Sequence, residues 1–282
     1  MIKSKRLFYK MRVACIQPQI FQERNKCYNE IERILRELLE VHKNCEIICL
    51  PERWVPLFKN SSLNFQEQRG KDYSFIQNLA REYNIKILSG AIWEKRRGFK
   101  KPAITCYYFN ENGEEIGRQD KIHLYAYERE YFESSNELNL FKLSNSHLFT
   151  ILICFDMAFF ETPRLAVENG ADILFSPTQI RQDGMKNWQI YLKARALENR
   201  VPIVACNTYG RYLKRNFIGK SKIISFHEGN ISPSKLKIVE GPKDSSGFIF
   251  DNIDLIFPRK LRNIRLKEQI DKNKIKVKII NN

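Results

Sequence analysis

The sequence predicts an α/β protein with a mixed sheet, and three observations carry that expectation. Short apolar runs alternate with segments of about 10 to 20 residues whose apolar positions recur every three or four places, the pattern of strands covered by amphipathic helices. Asn112-Gly113 sits just past an apolar run and reads as a hairpin turn, because both residue types tolerate positive φ. Strand-like runs also follow one another late in the chain, so the sheet cannot be wholly parallel.

Taken in order, residues 12–17 (RVACIQ) read as a strand stopped by Pro18. Residues 23–43 read as a helix, with Cys27, Ile31, Ile34, Leu35, Leu38 and Val41 on one face and charged residues between them. Residues 46–50 (EIICL) form a second strand ending at Pro51-Glu52, and 73–84 a second amphipathic helix. Strands follow at 85–93, with Gly90 inside, and at 104–110. A dense aromatic and charged stretch, 125–132, leads to an apolar run at 148–155 that is interrupted only by Thr150. Residues 162–169 look helical, with Gly170 as a C-terminal stop. Residues 172–176 read as a strand and 185–199 as a helix with Leu192, Ala196 and Leu197 inward. Strands are expected at 202–206, 220–226 and 247–250, with a turn at Glu228-Gly229-Asn230. The end from Pro258 onward is lysine-rich and poorly periodic. One domain is expected over 1–282, with a core of about 12–255 and a basic extension at 256–282.

Bulk properties exclude several classes. Hydrophobic residues make up 43% and charged residues 28% of the 282 positions, an ordinary globular composition. No apolar run approaches the ~18 residues that span a bilayer. The basic start has neither an apolar stretch nor a small-residue cleavage site, so no secretory signal is read there and a cytoplasmic location is expected. The seven cysteines, an odd number with no CxxC pair, argue against a disulfide framework or a zinc knuckle. The net charge of +16 raises a nucleic-acid reading, but its distribution argues against it. Residues 1–12 carry five Lys or Arg and no acid, and residues 259–282 carry nine against two acids. The ends therefore hold +12 of the +16, and no basic groove is built into the centre.

Three residues share an unusual placement. Glu52 follows one strand, Cys154 ends another, and Lys121 precedes the aromatic stretch; functional groups collect at strand ends in open α/β sheets. Singly, each has an ordinary explanation: a cysteine as core filler, and the two charges as solvated surface groups. Together they are chemically coherent. A carboxylate can take a proton from a thiol and return it to an amine leaving group, and an ammonium with the Phe155 amide can stabilise an oxyanion. None of the four histidines forms a convincing pair with a cysteine; His123, the nearest, reads as a packing or loop residue.

The segments Leu50-Pro51-Glu52, 118–124 (RQDKIHL) with Glu128-Arg129-Glu130-Tyr131-Phe132, and Ile153-Cys154-Phe155-Asp156 resemble, in order, the three signatures of the nitrilase superfamily, the carbon–nitrogen hydrolases. The likeness runs from about 12 to 255. It implies a four-layer αββα sandwich with two mixed β-sheets, paired into homodimers or higher homo-oligomers. It implies Cys154 as nucleophile, Glu52 as general base and then acid, and Lys121 as oxyanion stabiliser. A second, positioning glutamate is expected at Glu128, with Glu130 as runner-up. No metal or organic cofactor is implied. Phe155-Asp156 after the cysteine points to a small amide or N-carbamoyl compound, hydrolysed through a thioester to a carboxylic acid and ammonia or an amine. The alternatives are nitrile hydrolysis at the same site, or a non-catalytic basic protein that binds nucleic acid or an acidic partner. Ala158, Phe160 and Ser134-Ser135-Asn136 depart from the family pattern, at positions expected to border the pocket.

Overall fold

The computed structural model describes residues 10–143 and 147–280; of the basic N-terminal stretch, residues 1–9 lie outside the described residues. The first half of the chain runs β1 (Lys10–Gln17), α1 (Arg24–Val41), β2 (Ile47–Cys49), β3 (Gln66–Glu67), α2 (Lys71–Glu82), β4 (Lys86–Lys95), β5 (Ala103–Phe109), β6 (Glu115–Asp120) and α3 (Glu128–Tyr131). The second half runs β7 (Leu140–Lys142), β8 (Leu148–Ile151), α4 (Glu161–Glu168), β9 (Ala171–Pro177), α5 (Met185–Asn199), β10 (Ile203–Cys206), β11 (Tyr209–Tyr212), β12 (Arg215–Ile218), β13 (Lys222–Phe226), β14 (Leu236–Glu240), β15 (Gly247–Asp254) and α6 (Ile256–Lys267).

Two mixed sheets result. One has the order β15-β1-β2-β4-β5-β6, with the small β3 also on β4; the other has the order β14-β13-β10-β9-β8-β7. The central strands β1, β2 and β4 are parallel, as are β8, β9 and β10, while the outer pairs are antiparallel. Alternation along each strand decides the layering. In β1, Val13 and Cys15 face the second sheet and meet Phe149, Ile151 and Phe175. Ala14 and Ile16 face the other way, onto Ile31 and Leu35 of α1 and Ile76 of α2. The second sheet repeats the scheme, with Leu174 and Ile203 against Ala166 of α4 and Leu192 of α5. Helix, sheet, sheet, helix is the four-layer sandwich the resemblance implies. Each fully buried Leu or Ile in these layers contributes about 1.5–3 kcal/mol.

Several elements differ from the sequence reading. The strand expected over 148–155 stops at Ile151, and Cys154 opens a 3-10 turn, Cys154–Ala158. The hairpin after β5 spans Asn110 to Glu114, closed by the Asn110 N–H donating to the Glu114 carbonyl at 3.0 Å, and only Gly113 takes positive φ. Leu197, expected inward, is only half-buried, while Arg195 is buried. The hairpin β11–β12 was not expected, because its turn residues Leu213 and Lys214 hold positive φ without glycine or asparagine. The C-terminal segment is not simply a solvated tail. Residues 256–267 form α6, docked by Arg259 and Arg262 on the buried carboxylate of Asp172, with Arg262 Nη2 to Oδ1 at 2.6 Å. Those two guanidiniums are held by a carboxylate of the same chain and are not free for phosphates.

Candidate active site

Glu52, Lys121 and Glu128 converge where the two sheets meet at the ends of β2, β6 and β9. Glu52 follows β2 and is clamped between the sheets: its N–H donates to the Thr178 carbonyl at 3.1 Å, and its carbonyl accepts from Ala91 at 3.2 Å. The second contact needs Gly90. Its φ is +67°, the β4 register shifts there, and a Cβ would lie 2.1 Å from the Pro51 carbonyl oxygen. Lys121 is the residue after β6. Its backbone is pinned to Ile104 and Ser135, and its side chain is 1% exposed. Glu128 starts the short α3 and accepts the Tyr125 N–H at 2.8 Å, which turns its carboxylate inward.

The Lys121 ammonium donates to Glu52 Oε1 at 2.6 Å and reaches both oxygens of Glu128, at 2.8 and 3.0 Å. Burial works against that charge, but Glu52 and Glu128 outweigh it and hold the ammonium well above the usual lysine range. Burial pushes the Glu128 carboxyl up; Lys121 opposes the shift and the neighbouring Glu52 charge adds to it. Glu130, the runner-up, is exposed and points elsewhere.

Cys154 is half-buried, at φ +48°, a conformation that costs a non-glycine residue about 1–3 kcal/mol. Three neighbours hold it there. The Asp156 carboxylate accepts the Ile153 N–H at 2.8 Å and the His123 N–H at 2.7 Å, which ties the Cys154 turn to the segment after Lys121. Arg195 on α5 donates to the carbonyls of Met157 and Ala158, at 3.2 and 2.9 Å, and satisfies the end of the turn. Burial pushes the Cys154 thiol well above its ordinary value; the Glu52 charge adds to this, while Lys121 and a hydrogen bond with the Gln179 backbone pull the other way. Glu52 and Cys154 therefore act on each other directly across the site.

The four groups open into one cavity of about 450 Å³, with Phe155, Tyr127, Gln179, Trp188 and Arg215 also in its wall. That is within the usual ~300–1,000 Å³ of small-molecule sites. His123 faces a different cavity, beside Lys101 and Phe159, and stacks on Phe159 at 4.1 Å. It is a positioning contact, as the sequence reading held. Of the departures from the family pattern, Ala158 lines the Cys154 cavity and Ser134 the second one, whereas Phe160 is 57% exposed and does not border the pocket as expected.

Sequence reasoning missed Arg195, Trp188 and Arg215. Arg195 had a signal, since 195–199 belongs to the stretch that resembles the family and Arg195 immediately precedes Ala196 on the apolar face of α5, but no role was read for it. Arg215 had none, since nothing marked its hairpin.

Residues 12–233 match the carbon–nitrogen hydrolase family. The chain is similar to a probable nitrilase of Schizosaccharomyces pombe, 29% identical over 90% of this chain and 92% of that one. It is similar to a 2-oxoglutaramate amidase of Bacillus subtilis, 25% identical over 87% and 92%. In fold it is similar to a carbon–nitrogen hydrolase of Helicobacter pylori, with a TM-score of 0.81 at 18% identity over 93% and 96%.

Proposed function

The chain belongs to the carbon–nitrogen hydrolase family of the nitrilase superfamily and is an amidohydrolase, and we propose that it cleaves a small linear amide through a thioester on Cys154. The observation that carries this reading is the meeting of Glu52, Lys121, Glu128 and Cys154 on one cavity. In the proposed cycle Cys154 Sγ attacks the amide carbon as its proton passes to Glu52. The carbonyl oxygen, now an oxyanion, is held by the Lys121 ammonium and the Phe155 N–H. Glu52 then gives its proton to the departing nitrogen, so ammonia or an amine leaves and a thioester remains. Water enters, Glu52 accepts one of its protons, and Glu128 fixes its position. The second tetrahedral intermediate expels the thiolate, which takes the proton back from Glu52, and the carboxylic acid is released.

The raised thiol supports this order of events, because a sulfur that stays protonated needs a base at the moment of attack. An ammonia-release screen over aliphatic amides, ω-amides of dicarboxylates, N-carbamoyl amines and nitriles tests the reading. Turnover confined to amides or carbamoyl compounds, and absent from folded Cys154→Ala, is expected; turnover in Cys154→Ala would end it.

The same reading includes a cytoplasmic location, which the seven free thiols suit, and self-association. Phe160 and Leu165 of the α4 segment and Ile190 of α5 are exposed apolar residues on adjacent helices, a face suited to a second copy. Sedimentation at the mass of one 33.5 kDa chain would remove that part.

A further inference from the structure

The Cys154 cavity is electrically lopsided. At the reacting end two carboxylates share one ammonium. Arg215 of β12 also lines the cavity, half-buried, with its guanidinium carbon 5.6 Å from the centre of the Tyr127 ring. Among the described residues no carboxylate pairs with it; its partner is the uncharged Tyr127 side chain. The position is supported from below, where Asn216 donates to Gln182 at 2.6 Å and ties the hairpin to the turn before α5. Trp188 and Gln179, which also line the cavity, carry buried N–H donors, Nε1 and Nε2, with no acceptor among the described residues. A partly desolvated guanidinium that lines a cavity and has no carboxylate partner matches a planar anion that accepts two hydrogen bonds.

We infer that Arg215 recognises a carboxylate on the substrate, so that the preferred substrates are small amides bearing a carboxylate at the end away from the scissile bond. The inference rests on the amidase reading above and narrows it: a cationic N-carbamoyl diamine would meet Arg215 with like charge, and an aliphatic amide would leave it unpaired. A hydrogen bond between charged partners is worth a preference of roughly 10- to 100-fold.

The test compares three amides of matched length: a dicarboxylate monoamide, its uncharged methyl ester, and an amide ending in an amine. Wild-type protein is expected to favour the anionic amide in kcat/KM by roughly 10- to 100-fold over the ester, mostly through KM. Arg215→Gln should bring that ratio towards one, Arg215→Lys should restore part of it, and Arg215→Glu should move the preference to the amine. Binding to Cys154→Ala, followed by calorimetry, reads the same preference without turnover. An equal affinity for all three amides there, or a ratio unchanged in Arg215→Gln, overturns the inference. Selective binding of the anionic amide without ammonia release by the wild type overturns the amidase reading and leaves the carboxylate site standing.

Discussion

Two ion clusters built to one charge formula lie side by side in this molecule, and only one of them looks chemical. Asp120 and Lys121 are neighbours at the end of β6, yet each belongs to a different cluster of one cation and two carboxylates. Arg96 donates to Glu94 at 2.6 Å and to both oxygens of Asp120 at 2.5 and 2.7 Å, and also reaches the Thr105 hydroxyl. Tyr107 donates to Glu94 at 2.7 Å, and Thr105 to Asp120 at 2.7 Å. Every nitrogen of the guanidinium is spent on the protein, and Arg96 lines neither cavity described here. Lys121, by contrast, opens on a cavity with a thiol in it. A cluster closed on the protein holds structure; a cluster that opens on a cavity can meet a substrate.

The largest effect expected from breaking this contrast is at Glu52. Glu52→Gln keeps the shape and a contact with Lys121 but removes the base, so kcat should fall about 10²–10⁴-fold with little loss of thermal stability. Nearly normal turnover in that variant would place the base elsewhere. Next comes the matched pair. Lys121→Met should lower kcat by at least about 10²-fold in the folded protein, as loss of an oxyanion donor does. Arg96→Met should instead cost about 3–5 kcal/mol in denaturant unfolding, the usual penalty for stranding buried carboxylates, with kcat per folded molecule close to wild type. Equal kinetic losses in the two variants would erase the distinction between the clusters.

The smallest effect is on pH. Glu128 titrates above the ordinary carboxylate range because of its burial and of Glu52. As pH falls through that raised value, Glu128 takes up a proton and loosens its hold on Lys121. The kcat profile should therefore show an acid limb above the ordinary glutamate pKa of about 4.3, full activity lying on the alkaline side of it. In Glu128→Gln the limb should move to lower pH; an unmoved limb would assign it to another group.

The clusters also show where the sequence could be read. Glu52 and Cys154 sit at the ends of apolar runs and Lys121 lies within a signature segment, so the resemblance made their meeting an expectation before any geometry. Also legible was α5, found over its full 185–199 range from Leu192 and Ala196, although Leu197, read inward beside them, is only half-buried. The short elements were not legible. The four residues of α3 have no periodicity to read; Glu128, their first residue, accepts the Tyr125 N–H and pairs with Lys121 seven positions earlier. The turn of β11–β12 lacks turn residues, and α6 owes its docking to Asp172, 87 positions before Arg259. Local pattern reports buried faces; it does not report partners supplied from far along the chain.

The central claim is that Cys154 is acylated with Glu52 as its base. Mixing the protein with an amide substrate, quenching in acid within the first turnover and weighing the intact chain and its peptides tests this most directly. The account predicts a mass gain equal to the substrate less ammonia or its amine, confined to the peptide that carries Cys154, formed slowly or not at all in Glu52→Gln and never in Cys154→Ala. Substrate hydrolysis by Cys154→Ala, or an acyl group on any other residue during turnover, would contradict it.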